Sequence, residues 1–202
     1  GSFQEEMAPM DIVIPDQLID RTRQRINTFF QEGIVAHIGF AQPFCPEMRT
    51  LACDAATTTG ATVHGRGTHI VIEGPQFSTL AESVMYRNWG ADIIGMTSLP
   101  EARLAREAEM CYVSVAFVTD YDCWHPTHGT VSTEMILTCL ANGVATAREI
   151  IRSIVRDLPH DRSCDCGSAL HHAIVTPSQL VPETTKKKLD AIAGRYLSIS
   201  QE

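Results

Sequence analysis

Two acids that could hold one proton between them close the apolar run VAFVTDYDCWH: Asp120 and Asp122, with Tyr121 between and Trp124 just beyond. In an extended chain, residues two apart point to the same side, so both carboxyls can face one ligand. They also repel, which favours keeping a proton on one of them in a closed pocket. A neutral carboxyl donates a hydrogen bond and an ionised one only accepts. Adenine presents an N7 acceptor beside an N6 amino donor, and a singly protonated pair matches that edge. A 6-oxopurine would leave one carboxylate facing an oxygen. Taken alone, the pair reads equally well as two solvated turn acids, because Asp is common in turns.

The elements that would position this pair alternate between strand and helix. β-rich stretches run over Asp11 to Ile19 and Ile34 to Phe40, a helix over Pro43 to Thr59 with Gly60 as its cap, and a strand over THIVIEG. PQFSTLAESVMYRNWG follows as a helix in which Thr79 and Glu82 have capping-box spacing. Ala91 to Thr97 is a short strand, Leu99 to Met110 a helix, and Cys111 to Asp120 an apolar run expected to be a strand buried on both faces. From Val131, apolar residues at helical spacing (Ile136, Leu137, Leu140, Val144, Ile151, Ile154, Val155, Leu158) predict one long amphipathic helix closing near Pro159. A weaker helix through TKKKLDAIAGRYL and a polar tail complete the chain. The alternation predicts an α/β fold with a mixed, largely parallel twisted sheet flanked by helices. Residues 1–160 form its main part, and 161–202 (Cys-x-Cys segment, helix and tail) belong to the same domain.

In such sheets ligands collect at the carboxyl ends of strands. EGPQFST, GMTSLPE and TDYDCWH therefore converge as candidates. Phe77 can stack on a flat ring or serve as plain core; Met96 and Thr97 offer a soft apolar surface and a hydroxyl. His125 and His128, with Pro126 between them, read as solvated loop residues.

The 202 residues are 44% hydrophobic and 20% charged, enough for one sizeable core. No apolar stretch reaches the roughly 20 residues of a membrane span. A net charge of −8 opposes binding to a phosphate backbone, and Lys186 to Lys188 reads as a solvated helix face. Neither nucleic acid nor membrane is expected as a partner; a small molecule is. The seven cysteines are an odd number, read mostly as small buried hydrophobes of a reducing cytoplasm. Cys164 and Cys166, followed by His171 and His172, lack a second ligand pair at finger-like spacing, so no metal is expected and a disulfide or two free thiols is.

From VIEGPQFSTL through GMTSLPE to VTDYDCWH the chain closely resembles the 5'-methylthioadenosine phosphorylases of the purine nucleoside phosphorylase superfamily, and the likeness extends back to GSFQEEMAPMDIVIPDQLIDRT and VAHIGFAQPFCPEMR. The resemblance implies phosphorolysis of 5'-methylthioadenosine to adenine and 5-methylthioribose 1-phosphate in purine and methionine salvage. No metal or organic cofactor is implied, and phosphate is a co-substrate. It implies that Asp120 acts at N7, Asp122 holds N6, Phe77 stacks on the base, Met96 lies under the ribose and Thr97 binds sugar or phosphate. His37 matches a histidine that reaches a neighbouring subunit's pocket, which implies a homo-oligomer, a trimer or a dimer of trimers. CDCGSAL resembles a Cys-x-Cys element that some prokaryotic members link to disulfides and heat resistance.

Two departures stand out. Gln76 and Leu80 replace arginines common in the family's loop, which predicts altered loop stability or oligomer contacts. The family's first βα units, its Gly-rich phosphate loop and an Arg-His pair have no counterpart in these residues. The expectation is therefore a fold without its N-terminal βα units that works with a companion segment, and a chain that aggregates when isolated. Acting on other purine nucleosides, or serving as a catalytically silent purine-binding subunit, are the alternatives.

Overall fold

The computed structural model describes residues 1–126 and 133–197. His128 lies outside the described residues. Among the described residues, six short strands and five α-helices follow one another: β1 (Ile12–Val13), β2 (Gln17–Arg21), α1 (Pro46–Thr57), β3 (Val63–His64), β4 (Thr68–Ile72), α2 (Leu80–Asn88), β5 (Ile93–Gly95), α3 (Ser98–Glu107), β6 (Ala116–Phe117), α4 (Thr133–Asp157) and α5 (Glu183–Leu197). The strands form two three-stranded ladders, β3-β1-β6 and β2-β4-β5. Within these two ladders, only the β1–β6 pairing is antiparallel. The mixed, largely parallel α/β architecture is therefore as expected.

β4 is the centre of the second ladder, and its apolar run follows from burial on both faces. Ile70 and Ile72 pack with Tyr86 of α2 and Phe3. Val71, pointing the other way, packs with Leu99 and Ala102 of α3. A fully buried isoleucine such as Ile70 contributes about 1.5–3 kcal/mol. α2 starts on the expected capping box: Glu82 N–H donates to Thr79 Oγ1 at 3.2 Å and Thr79 N–H to Glu82 Oε2 at 2.8 Å. Around the first ladder, Ile12 and Ile14 pack on Ala52, Ala55 and Ala56 of α1, which also meet Ile150 of α4.

Four expectations change. The Asp11 to Ile19 stretch is two strands in two ladders, because Pro15 has no N–H to continue a ladder. Ile34 to Phe40 is extended and alternates inward and outward, but it pairs through one bridge, Ala36 to Ile174, in place of a strand ladder. Its inward residues Ile34, Ala36 and Ile38 pack on Leu170, Ala173 and Leu189, which seats the segment after residue 160 against the body. Cys111 to Asp120 pairs only at Ala116–Phe117, antiparallel to β1, and residues 111–117 are half-buried. One face of this segment is open because it walls a cavity. The long helix is present, yet Leu137, Leu140, Val144, Ile151, Val155 and Leu158 are exposed. α4 meets α1 through Ile150 and Ile154, a ridge narrower than its apolar stripe.

The last helix is tied down by a buried acid. Glu109 accepts from Tyr196 Oη at 2.7 Å and from Leu170 N–H at 3.0 Å, and it pairs with Arg195. Of the lysine run, Lys186 and Lys188 pair with Glu183 and Glu32 on the surface. No helix among the described residues is long and apolar enough to cross a membrane.

Candidate active site

The carboxyl ends of β4, β5 and the 114–120 segment surround one cavity of about 390 Å³, within the range typical of small-ligand sites. Phe77, Met96, Thr97, Asp120 and Asp122 all line it. The floor is apolar, built from Ile72, Ile94, Val115 and Val118.

The two acids reach the cavity by a different route from the one extended geometry suggests. Asp122 has φ +51°, in the left-handed region that Asp tolerates better than most residues, so the chain turns between them. Asp122 N–H donates to Asp120 Oδ1 at 2.7 Å, closing an Asx turn, and Thr119 Oγ1 donates to Asp120 Oδ2 at 2.5 Å. Both oxygens of Asp120 thus have local donors that fix its orientation. Each acid is only 6% exposed, which rules out solvated turn acids. Burial pushes the Asp122 carboxyl above its ordinary range, and the neighbouring Asp120 adds the smallest contribution. Exclusion of water, more than repulsion between like charges, is thus what favours the protonated form of Asp122. Ser83 Oγ makes no direct hydrogen bond of good geometry, but it lies close enough to Asp122 to offset part of the rise.

The aromatics of TDYDCWH are anchors for this turn. Trp124 Nε1 donates to Ser2 O at 2.7 Å, under an Arg87 guanidinium 4.0 Å from its ring. Tyr121 Oη donates to Glu5 O at 3.0 Å. His125 is not solvated: it stacks on Tyr121 and meets Glu5 at 3.1 Å. Residues 1–3 are part of the same wall, with Ser2 N–H donating to Asp120 O and Ile94 N–H to Gly1 O.

Arg25 is a positioning residue that no local pattern marks. Its guanidinium donates to Ile72 O (3.2 Å), Glu73 O (2.7 Å), Met96 O (2.5 Å) and Leu99 O, so one side chain binds the ends of β4 and β5 and the start of α3. Gly74 lies beside that junction at φ +69°, and a Cβ there would stand 2.6 Å from Met96 Sδ. A loop that places Met96 against the cavity thus requires glycine at 74.

No local pattern marks a second buried polar group on the cavity wall. His69 Nδ1 lies 3.2 Å from Ser98 Oγ, which is 3.3 Å from Ser114 Oγ. Burial lowers the His69 pKa to about 4, so the ring is neutral and contributes hydrogen bonds without charge. Thr97 caps the start of α3 but makes no side-chain cap bond, leaving its hydroxyl for the cavity. Phe77 is 47% exposed, at the rim rather than in the core. Gln76 and Leu80 are exposed beside it. His37 is exposed and is not among the cavity's lining residues.

A model of the Phosphorylase superfamily matches residues 1–156. The chain is 53% identical over 196 residues to the S-methyl-5'-thioadenosine phosphorylase of Koribacter versatilis, covering 97% of this chain and 67% of that one. The chain belongs to this phosphorylase family. The Geobacter sulfurreducens S-methyl-5'-thioadenosine phosphorylase is 52% identical over 198 residues, covering 98% of this chain and 69% of the relative. Among solved structures, a methylthioadenosine phosphorylase from an antarctic soil metagenomic library superimposes with a TM-score of 0.86 at 43% identity, covering 95% of this chain and 68% of that one. A Schistosoma mansoni methylthioadenosine phosphorylase in complex with adenine gives 0.81 at 32% identity, covering 87% and 70%. The chain thus spans about two thirds of the length of these relatives.

Proposed function

We propose that this chain carries the adenine-facing part of a pentosyltransferase that cleaves 5'-methylthioadenosine with phosphate, giving adenine and 5-methylthioribose 1-phosphate. The observation that supports it most directly is the pair of buried acids turned into one cavity with Phe77, Met96 and Thr97. Breaking the N-glycosidic bond builds positive charge on the ribose and negative charge on the purine, so a site should stabilise both ends. A neutral carboxyl donating to N7 makes adenine a better leaving group, while an ionised one accepts from N6. In this reading Asp120 sits at N7 and Asp122 at N6. Burial favours the proton on Asp122. The two asparagine variants separate these assignments, since asparagine can still hydrogen-bond N7 or N6 but cannot deliver a proton. Turnover of methylthioadenosine should fall roughly 10²- to 10⁴-fold in the variant that removes the N7 acid. Unchanged turnover in both Asp120→Asn and Asp122→Asn would sink the reading.

Phe77 stacks on the base from the rim, Met96 lies under the ribose, and Thr97 with the start of α3 meets sugar or phosphate. No metal or organic cofactor takes part in this chemistry. The described lining residues include no Lys or Arg, and the donors of Arg25 are taken up by backbone carbonyls. In this reading a companion segment brings the phosphate ligands. His37, exposed and outside its own cavity, completes the 5'-substituent pocket of a neighbouring copy in a trimer or dimer of trimers. Residues 1–160 and 161–202 act as parts of one domain, in the cytoplasm. Sedimentation of the assembly with and without His37→Ala, read beside KM for methylthioadenosine, checks the shared pocket.

A further inference from the structure

Four cysteines that are far apart in sequence meet outside the purine cavity. Cys45 caps the N-terminus of α1, Cys111 follows α3, and Cys164 and Cys166 stand at the start of the single 3-10 turn Asp165–Ser168. The sulfurs of all four lie within 4.8 Å of one another, with Cys111 Sγ 3.5 Å from Cys164 Sγ. We infer that Cys45, Cys111, Cys164 and Cys166 form a tetrahedral thiolate site for a soft divalent cation of the zinc type.

The spacing decides between a cation and a bond. Zinc–thiolate bonds of about 2.3 Å set the sulfur–sulfur edges of a tetrahedron at roughly 3.8 Å. The widest pair here would close by about 1 Å to reach that edge, and the Cys111–Cys164 separation is already near it. A disulfide requires about 2.05 Å, about 1.5 Å shorter than the Cys111–Cys164 separation, and two such bonds would be needed to use all four sulfurs. All seven cysteines are free thiols in this structure, so the full donor set is present.

The surroundings suit the charge and the access of such an ion. Four thiolates and a divalent cation carry a net charge of −2, and each thiol that binds releases its proton to solvent. Arg162 lies beside Cys111 and within electrostatic reach of Cys164 and Cys166, and Arg106 is within reach of Cys166. A surface groove of about 570 Å³, lined by Glu47, Arg106, Ser163, Cys164, Asp165 and Cys166, gives an entry path. His171 and His172 do not belong to the cluster. None of the four sulfurs lines the purine cavity, so the ion's role is to staple residues 161–174 onto α1 and the end of α3.

The test uses the full chain purified under reductant without chelator. Atomic emission should find one zinc per chain. Cobalt(II) added to the metal-free protein should give a thiolate charge-transfer band and the strong visible bands of a tetrahedral ion. Zinc should slow alkylation of Cys111 and Cys164 in the folded wild type and leave Cys53 and Cys123 unchanged, a readout that needs no variant. Cys164→Ser and Cys166→Ser should lose the cobalt spectrum while Cys139→Ser keeps it, and chelator should lower the Tm of the wild type but not of these two serine variants. The inference is overturned if reduced wild-type protein takes up cobalt without a thiolate band, or if zinc protects no cysteine. It is equally overturned if protein isolated under nitrogen shows the mass deficit of a disulfide within the cluster.

Discussion

Exchanging the 6-amino group of the purine for an oxygen is the smallest perturbation that interrogates the acid pair, and it needs no phosphate and no mutation. With adenine, the amino group donates to an ionised carboxyl and N7 accepts from a neutral one. With hypoxanthine both edge positions are acceptors, so the neutral carboxyl can serve only one and the other carboxylate faces an oxygen. Asp120 cannot swing away, because its oxygens are held by Thr119 Oγ1 and Asp122 N–H at 2.5 and 2.7 Å. Asp122 is equally enclosed, at 6% exposure. The loss is therefore one hydrogen bond to a charged acceptor, about 1.5–3 kcal/mol, and a buried acceptor left unmatched, a further 1–3 kcal/mol. The lower sum of about 2.5 kcal/mol corresponds to roughly 60-fold in Kd. Isothermal titration of both bases at neutral pH should show at least that preference for adenine. Hypoxanthine binding within threefold of adenine at neutral pH would refute the pairing of one neutral and one ionised acid.

Asp122→Asn should raise Tm at neutral pH while impairing the site: burial raises the folded carboxyl above its unfolded value, so the wild type loses stability as pH climbs from about 4 through that raised value. Thermal melts of both proteins from pH 4 to 7 should converge at the acid end, and parallel curves would show that Asp122 titrates normally. Asparagine suits the test because it tolerates the φ of +51°. Gly74→Ala should cost about 1–2 kcal/mol from left-handed strain and push the flexible end of Met96 aside; denaturant midpoints measure it. Arg25→Lys leaves at least one of four carbonyls without its donor and should cost about 1–3 kcal/mol and raise KM, because the ends of β4 and β5 are no longer held together.

The sequence by itself determined the α/β alternation, the capping box of Thr79 and Glu82, the long helix, and the three strand ends that carry Phe77, Met96, Thr97 and the two acids. These features are written in near neighbours: periodicity, caps and the residues that end strands all act over a few positions. Tertiary structure alone decided what the acids are. The same Asp-x-Asp in an open turn would be two solvated carboxylates; here Trp124 and Tyr121 pin the turn to residues 2 and 5, and burial away from water raises the Asp122 carboxyl. It also decided the split at Pro15, the single bridge at Ala36, and the exposure of α4's apolar stripe, each of which depends on what lies opposite. Arg25, His69 and the meeting of Cys45 with Cys111, Cys164 and Cys166 join residues tens of positions apart, and no local spacing encodes such contacts. Local chemistry fixes which elements form; the distances between functional groups on different elements exist only once those elements are packed.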